Sequence, residues 1–401
     1  MLDPKLVSLL QKVVPISPEK ISQFSFMLFG TGGFAKNIYQ QFSSNITGVI
    51  EHEASIAESQ KNCTQSLISP KQAKGNVLIG SDIGNFQYNQ LLSLAEADHS
   101  RIEKVLLVDP FIQHRNIEQQ SPEKTIVLLE HANGVVKHDP LLSQFKRYFA
   151  RQGKVVASIC PLTLYYYSQY FSCQDVIMFS GQRALYDIGR QVFANHKLTY
   201  MEYGFFPQSE HFYLDKLGVN QNCSLMTDDL DWVEQKHFEK LKRVKASYLD
   251  GFRYIAKDYI LVPLQVPDDP NVVNCSRFTN GMQEFIDYIV EFYPARQKIM
   301  FKPHPKDPKR RQYDYKGKNF SNLPFLTLLE SASKVHGITS STLYEAALAG
   351  VDVITEGKSI LAKHLRQKDK LFAAMVDRQI SRFDTDFQYN LLNYTNLVDP
   401  T

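Results

Sequence analysis

Two acidic side chains follow predicted strands, at the positions where α/β proteins usually carry their chemistry. Asp269 comes shortly after the apolar run at 259–264, and Glu202 follows the run at 198–201. A nucleophilic carboxylate and an acid/base carboxylate are what retaining glycosyl transfer through a covalent intermediate requires. The alternative is that both acids are structural, because acidic side chains in loops are commonly solvated or cap a helix. The pair therefore predicts either a catalytic site or two structural acids.

A histidine at the end of another predicted strand is suited to an anion. His304 stands in the sequence Lys302-Pro303-His304-Pro305, which follows the strand at 298–302. Its imidazole can donate a hydrogen bond to a phosphate oxygen, and the flanking prolines restrict the backbone. The alternative is a rigid surface turn with an incidental histidine.

A run of hydroxyl side chains opens a predicted helix after the strand at 336–338. Ser340 and Ser341 would offer hydroxyls and unpaired backbone N–H groups to an anion. Glu345 lies further along the same helix and could accept a hydrogen bond from a ribose hydroxyl. A serine followed by a glutamate is also an ordinary capping arrangement. Two phosphate-suited strand ends in one predicted sheet favour the functional interpretation.

A glycine-rich turn lies near the start of the chain. The apolar run Phe24 to Phe29 ends in Gly30-Thr-Gly-Gly-Phe-Ala35, and Glu51 follows the next predicted strand. This order matches the dinucleotide-binding fingerprint, in which glycines let the backbone approach a phosphate. The alternative is that the glycines only permit a tight strand-to-helix turn in a small α/β domain.

Strands and helices alternate along three stretches of the chain, which predicts an α/β protein with parallel sheets and right-handed crossovers. The predicted parts are residues 1–115, 119–250 and 251–370, followed by a helical tail at 371–401. A polar segment at 115–124 is typical of a linker. We therefore expect the first part to fold by itself and to be dispensable for chemistry in the rest of the chain.

The composition excludes several classes of protein. A formal net charge of +3 is too small to indicate nucleic acid as a partner. The five cysteines include no Cys-x-x-Cys pair, which favours reduced thiols and no zinc site. No signal peptide is evident, and no stretch approaches the roughly 20 apolar residues that span a bilayer. We expect a cytoplasmic protein with at most peripheral contact to the inner membrane.

A basic segment at 302–318 contains seven Lys or Arg residues and two acids. Such a cluster could attract an anionic substrate or rest against an anionic leaflet. The alternative is a solvated loop.

Several short motifs occur together between Thr125 and Gly357. In chain order they are Phe179-Ser-Gly-Gln-Arg183, Glu202-Tyr-Gly204-Phe205, Gly218-Val-Asn220, LVPLQVPDD (Leu261 to Asp269), Lys302-Pro-His304-Pro305, and Thr339-Ser-Ser-Thr342 with Glu345-Ala346. This set resembles the bacterial capsule and O-antigen Kdo transferases of the KpsS, KpsC and WbbB type. Those enzymes transfer 3-deoxy-D-manno-oct-2-ulosonic acid (Kdo) from CMP-β-Kdo.

The resemblance implies a GT-B-like pair of Rossmann-type parallel-sheet domains, and the strand pattern predicts an extra N-terminal α/β domain before it. Residues 119–250 would form the acceptor-side domain and residues 251–370 the CMP-sugar-binding domain, with 1–115 as an accessory Rossmann-like domain. The first 115 residues themselves lie outside the resemblance.

The resemblance also implies a role for each matched residue. Asp269 matches the nucleophile, because it keeps the spacing from Gln265 that Asp268 does not, and Glu202 matches the acid/base. The residues implied to bind the CMP-sugar are Gln265, Lys302, His304, Ser340, Ser341 and Glu345. The donor is a substrate, so no metal ion and no other cofactor is expected. The implied partners are CMP-β-Kdo and a glycan or glycolipid acceptor on a surface polysaccharide.

The chain departs from the family at one motif. An arginine usually follows the Glu-x-Gly motif, whereas this chain has Pro207-Gln208, so recognition of the acceptor or of a carboxylate can differ. Two other functions stay open. One is an inverting, sialyltransferase-like enzyme in which Glu202 is the base and Asp269 is structural. The other is a non-catalytic glycan-assembly subunit, against which the two intact acids argue.

Overall fold

In a computed structural model the chain is an α/β protein, which confirms the predicted fold class. Its described strands form three sheets, of six, six and five strands, and every strand pair within the first and third sheets is parallel. The structure describes residues 3–81, 84–108, 122–130, 140–167, 173, 175–255, 258–267, 269–307, 310, 312–384 and 386–397. Among the described helices, none has the length and apolar character that a bilayer crossing requires.

The fold divides into two compact units, Met1–Leu198 and Thr199–Asn396. This division differs from the four predicted parts, whose boundaries stay a prediction. Most of the predicted linker at 115–124 lies outside the described residues.

The first unit begins with a parallel sheet made from apolar runs. Its strands are β1 (Val13–Ile16), β2 (Phe26–Phe29), β3 (Ile46–Ile50), β4 (Leu67–Ile68), β5 (Gly75–Ile79) and β6 (Ile102–Val108), and its helices are α1 (Pro4–Leu10), α2 (Gly33–Phe42), α3 (Ile56–Ser59) and α4 (Gly84–Glu96). The strand order is β1-β6-β5-β2-β3-β4. All four residues of β2 are buried, as in parallel sheets that are covered on both faces.

The same unit continues with a second group of parallel strands. Its elements are β7 (Thr125–Leu129), β8 (Val155–Ile159), β9 (Asp175–Phe179), α5 (Pro140–Arg151), α6 (Pro161–Tyr167) and α7 (Tyr186–Val192). β7 pairs with both β8 and β9. All five residues of β7 and of β9 are buried.

One hydrophobic cluster joins the two halves of the first unit. Leu162, Leu185 and Ile188 are buried in the same cluster as Leu6 and Leu94. The first part of the chain therefore shares its core with the part that follows. A shared core is not what a polar linker suggests, because a linker says nothing about which apolar faces pack together; independent folding of residues 1–115 stays a prediction.

The second unit contains the third sheet and most of the sequence motifs. Its strands are β10 (Leu198–Tyr203), β11 (His211–Asp215), β12 (Tyr259–Pro263), β13 (Ile299–Lys302), β14 (Asn319–Phe320), β15 (Ala332–Gly337), β16 (Val353–Thr355) and β17 (Gln379–Ser381). Its helices are α8 (Gln235–Tyr248), α9 (Pro270–Cys275), α10 (Met282–Phe292), α11 (Phe325–Leu329), α12 (Ser341–Leu348), α13 (Ile360–His364), α14 (Lys368–Arg378) and α15 (Gln388–Tyr394).

The parallel sheet of the second unit has the order β14-β13-β12-β15-β16. The carboxyl ends of β12, β13 and β15 meet at one edge, so the loops that follow these neighbouring strands are brought close together. α10 covers the sheet with Met282, Phe285, Ile286 and Ile289, whose spacing gives one apolar helix face.

Three antiparallel strands complete the second unit. β10 pairs with β11, and β11 pairs with β17. β17 belongs to the predicted helical tail at 371–401. The tail is therefore not helical throughout, since a strand lies between α14 and α15 and extends the β-structure.

Candidate functional site

A pocket of about 260 Å³ in the second unit gathers most of the predicted site residues. Glu202, Gln265, Asp269, His304, Ser340 and Ser341 all line it. They come from the ends of four strands, β10, β12, β13 and β15. The sequence analysis gave no binding or catalytic role to the other lining residues, among them Tyr203, Gln208, Asn220, Asn271, Tyr344 and Lys358.

Asp269 is held by the start of helix α9. Its Oδ1 accepts hydrogen bonds from the backbone N–H of Asn271 at 2.8 Å and from the Asn271 side-chain amide at 3.1 Å. Its Oδ2 is 3.3 Å from Gln265 Nε2. One carboxylate oxygen is thus committed to an N-cap, whereas the other has one long contact among the described residues. Asp268 lies outside the described residues.

Gln265 connects two of the loops that surround the pocket. Its side chain is buried, and its Oε1 accepts the backbone N–H of Thr339 at 2.9 Å. Because Oε1 faces this N–H, the amide group presents Nε2 to Asp269 and to the Thr339 hydroxyl, which is 3.2 Å away. Gln265 therefore orients the Asp269 carboxylate.

Glu202 lies near the end of β10, opposite Tyr213 of β11. Its Oε1 accepts the backbone N–H of Tyr203 at 2.9 Å. Two residues later, a side chain on Gly204 would stand 2.5 Å from His211 Cβ. The glycine of the Glu-x-Gly motif therefore lets β11 pass closely, and the backbone N–H of Gly204 donates to the His211 carbonyl at 2.7 Å.

His304 is half-buried at the pocket wall, and its hydrogen bonding determines which ring nitrogen is a donor. The backbone N–H of Lys306 donates to Nδ1 at 3.2 Å, so the neutral ring carries its proton on Nε2. Burial lowers the pKa of His304 below its usual range, and the charge of Lys306 adds to this lowering, whereas Asp269 and Asp307 oppose it. Near neutral pH the ring is thus a neutral hydrogen-bond donor through Nε2.

The serine motif, Thr339-Ser340-Ser341-Thr342, forms the N-terminus of helix α12. Ser340 is the N-cap: its hydroxyl accepts the backbone N–H of Thr342 at 3.3 Å and lies 2.8 Å from the Thr342 hydroxyl. Ser341 is exposed, and no partner from the described residues is recorded for its hydroxyl or its N–H. Ser340 therefore caps the helix, and the anion-binding role predicted for Ser340 and Ser341 stays a prediction.

Lys302 and Glu345 are not among the residues that line the pocket. Lys302 is half-buried at the end of β13, and burial lowers the pKa of its ammonium group. Glu345 is hydrogen-bonded to Tyr248 of α8, and burial raises the pKa of its carboxyl. The two roles predicted for these side chains in donor binding stay predictions.

Lys358 is an exposed cation at the pocket that sequence reasoning missed. It follows Gly357, where an added side chain would stand 2.3 Å from Thr339 Cγ2. The glycine lets the chain after β16 pass against the serine motif, and the backbone N–H of Lys358 donates to the Cys275 carbonyl at 2.8 Å. The one local signal was a glycine before a lysine, which is too common to predict a site.

A buried ion pair holds the loop that supplies Asn220 and Gln221 to the pocket. Nη1 of Arg378 donates to Oδ2 of Asp215 at 3.0 Å, and both side chains are buried. Asp215 also accepts three backbone N–H groups from the following loop. Within that loop Asn220 has a φ of 51°, and its N–H donates to the Tyr213 hydroxyl at 3.0 Å.

Several described side chains of the basic segment at 302–318 have partners within the segment. Asp307 is buried and accepts the Tyr313 hydroxyl at 2.6 Å, and Lys316 pairs with Asp314 at 2.9 Å. Over the part of the chain that the structure describes, no group of three or more His, Cys, Asp or Glu side chains is arranged to hold a metal ion.

Residues 229–364 match a protein family that is described as capsule polysaccharide biosynthesis protein. The curated relative Protein FixF of Sinorhizobium fredii is 25% identical over 223 residues. That alignment covers 49% of this chain and 53% of the relative. The chain thus spans about half the length of the curated relative that it matches.

Solved structures are also similar in part. Thermosulfurimonas dismutans KpsC, beta Kdo 2,7 transferase, gives a TM-score of 0.49 at 17% identity, over 65% of this chain and 94% of that chain. The beta Kdo 2,4 transferase of the same KpsC gives 0.47 at 13% identity, over 63% and 90%. The match of residues 229–364 to this family agrees with the resemblance that the sequence motifs indicated.

Proposed function

We propose that this chain is a retaining glycosyltransferase that moves Kdo from CMP-β-Kdo to a surface-polysaccharide acceptor. The observation that carries the proposal is the single pocket that contains both candidate carboxylates, Asp269 and Glu202, together with His304 and Ser341. Two acids beside several anion-suited donors fit a substrate that joins a sugar to a phosphate. The match of residues 229–364 to capsule biosynthesis proteins supports the same class of reaction.

The donor phosphate would be held by neutral and charged donors. Nε2–H of His304 and the hydroxyl and N–H of Ser341 would donate to phosphate oxygens, and the N-terminus of α12 favours negative charge. The Lys358 ammonium would add a charge-assisted contact to the phosphate or to the Kdo carboxylate. This chemistry needs no metal ion, because protein donors supply the stabilisation of the departing CMP.

The reaction would proceed through two displacements. Oδ2 of Asp269 attacks the anomeric carbon of Kdo and forms an ester bond, while the bond to the phosphate breaks and CMP leaves with the electron pair. Glu202 then accepts the proton of the acceptor hydroxyl, whose oxygen attacks the same carbon and releases Asp269. Two inversions give net retention.

A second mechanism is favoured by the position of Asp269. Its Oδ1 caps α9 through both hydrogen bonds from Asn271, as a purely structural acid would. In that case Glu202 acts as base for a direct, inverting attack by the acceptor, and the site resembles that of a sialyltransferase. The stereochemistry of the product separates the two mechanisms.

The test is CMP release from two donors. The full chain is incubated with CMP-Kdo and, separately, with CMP-sialic acid, and the released CMP is measured. We expect release from CMP-Kdo and a matched loss of release in Asp269→Asn. Preferred turnover of CMP-sialic acid would contradict the donor assignment. Binding of CMP-Kdo without any turnover would instead indicate a non-catalytic assembly subunit.

A further inference from the structure

We propose that the first unit carries a second ligand site, which binds a nucleoside diphosphate group through the glycine-rich turn after β2. The site is formed by the carboxyl ends of β2 and β3, the start of α2 and the segment around Cys63. All of these elements belong to the first unit, so the proposal does not depend on the function of the second.

The strand order places this turn where parallel sheets bind nucleotides. Without β1, the sheet reads β4-β3-β2-β5-β6, and its chain order reverses between β2 and β5. This is the doubly wound arrangement, in which ligands bind beyond the carboxyl ends of the strands at the point of reversal. The turn Gly30–Gly33 begins at the carboxyl end of β2, beside that point.

The turn is built to bring backbone N–H groups to a ligand. Gly30 has a φ of 105°, which favours glycine, and a side chain there would meet Gln90 Nε2 at 2.7 Å. Cβ atoms on Gly32 and Gly33 would meet nothing within 4 Å, so space lies in front of both residues. Gly32 is the N-cap of the ten-residue helix α2 and supplies no side-chain cap. The first N–H groups of α2 are therefore available to a phosphate.

An acidic side chain stands at the end of the neighbouring strand. Glu51 follows β3 and is 7% exposed. Its Oε2 accepts the hydroxyl of Thr31 at 2.8 Å, and its Oε1 accepts the backbone N–H of His52 at 2.9 Å. Each oxygen keeps a lone pair, so the carboxylate can accept ribose hydroxyls, as the acid about 20 residues after the glycine turn does in dinucleotide sites.

A cavity of about 200 Å³ continues from the turn and provides room for the rest of a nucleotide. Leu28, Val49, Ala35 and Tyr39 give it apolar walls, and Lys36 brings a cation to the first turn of α2. Flat bases suit apolar walls, and diphosphates suit a lysine beside unpaired N–H groups.

A buried acceptor without a partner lies beside the same turn. The Gln90 side chain is 6% exposed, and its Nε2 donates to the Phe29 carbonyl at 3.0 Å. Its Oε1 accepts no hydrogen bond from any described residue. The Nε2 of the same amide is the atom that a side chain on Gly30 would meet, so the amide lies beside the turn. A buried acceptor normally has a donor, which a ligand group or a bound water at the turn would supply.

The chemistry narrows the class of ligand. A free ribose diol would suit Glu51, whereas a 2′-phosphate would place two negative charges together. Both a dinucleotide such as NAD⁺ and a nucleotide sugar such as UDP-N-acetylglucosamine contain the required ribose and diphosphate. NADP⁺ contains them too, but carries the disfavoured 2′-phosphate.

The test is calorimetric titration of the full chain with NAD⁺, NADP⁺ and UDP-N-acetylglucosamine, each without and with saturating CMP, the nucleotide that we propose for the second unit. We expect one of the two diol ligands to bind, and if it is NAD⁺, to bind roughly 100-fold more tightly than NADP⁺. Failure of all three to bind the folded protein would overturn the proposal. Binding that is lost in the presence of CMP would also overturn it, since the ligand would then belong to the second unit.

Two variants locate the ligand. Gly32→Leu fills the open space before α2, and Glu51→Gln removes the charge that accepts the ribose diol. Both should weaken binding by roughly 10- to 100-fold, whereas Glu53→Gln, a surface acid paired with Lys71, should not. Equal affinity in Gly32→Leu, with an unchanged melting temperature, would contradict the placement. CMP binding by the same variants should stay unchanged, which separates this site from the proposed transferase site.

Discussion

The backbone N–H of Thr339 donates a 2.9 Å hydrogen bond to Oε1 of Gln265, and this bond joins the loops that follow β15 and β12. It fixes the orientation of a side-chain amide that is otherwise free to rotate by half a turn. Since Oε1 is occupied, Nε2 is the group within 3.3 Å of Asp269 Oδ2. The serine-motif loop therefore controls the environment of the candidate nucleophile without touching it.

Exchange of this amide for a carboxylate tests the arrangement. Gln265→Glu removes the N–H donor that orients the Asp269 carboxylate and places a second negative charge beside it, so the two carboxylates repel each other. We expect turnover of CMP-Kdo to fall by at least about tenfold, the equivalent of one hydrogen bond to a charged group. Gln283→Glu is the matched control, because Gln283 donates to Asp287 at 3.0 Å outside the pocket. Equal losses in both variants would contradict a specific role for Gln265.

The lowered pKa of His304 implies that nucleotide binding depends on pH. Burial lowers the pKa of the free ring, whereas a bound phosphate favours the protonated ring and raises it. The complex therefore takes up a proton, and affinity should increase as pH falls towards the ring's ordinary value of about 6.5, until the lowered pKa of the free protein is passed. His304→Gln keeps a neutral donor but cannot be protonated. The difference between parent and variant in calorimetry from pH 8 to 5 removes the ionisation of CMP itself, and a pH-independent difference would argue against contact with the phosphate.

Because Lys358 is an exposed cation at the pocket, its contribution to donor binding should depend on the salt concentration. Lys358→Gln removes an exposed cation from the pocket, and we expect CMP-Kdo binding to weaken by roughly tenfold at low salt, with a smaller effect at high salt. Lys363→Gln provides the control, since Lys363 is an exposed lysine five positions later that does not line the pocket. If the two variants lose affinity equally, the effect is one of overall charge.

Leu185 tests the shared core of the first unit. This side chain is 0% exposed and belongs to the cluster that includes Leu6 and Leu94. Leu185→Ala should lower the free energy of unfolding by about 2–5 kcal/mol, as buried leucines usually do. Leu217→Ala, at a leucine that is 54% exposed, should have little effect on the free energy of unfolding.

A chain that starts at Glu118 should be less soluble than the full chain, because Leu162 and Ile188 would lose the apolar residues that cover them. A stable, soluble truncation would contradict the shared core.

The sequence predicted which residues lie at the ends of strands, and these residues line one pocket. His304, Asp269 and Ser340 each follow a parallel strand, and strands that are neighbours in one sheet bring their carboxyl ends together. Lys358 could not be predicted, since its position depends on the contact between Gly357 and Thr339. The same holds for β17, a three-residue strand that exists because β11 offers it a partner. Local sequence does not contain such tertiary relationships.

A covalent adduct on Asp269 is the sharpest test of the retaining mechanism. With CMP-Kdo and no acceptor, intact-protein mass spectrometry should show a species heavier by one Kdo residue, which maps to the peptide that contains Asp269. Glu202→Gln should accumulate this species, because the first displacement needs no base whereas the second needs Glu202 to accept the proton of the acceptor hydroxyl. Asp269→Asn should abolish both adduct and transfer, and Asp287→Asn, a change at a surface aspartate outside the pocket, should affect neither. An inverted product without any adduct would leave Asp269 as the cap of α9 alone and would assign the chemistry to Glu202 as a general base.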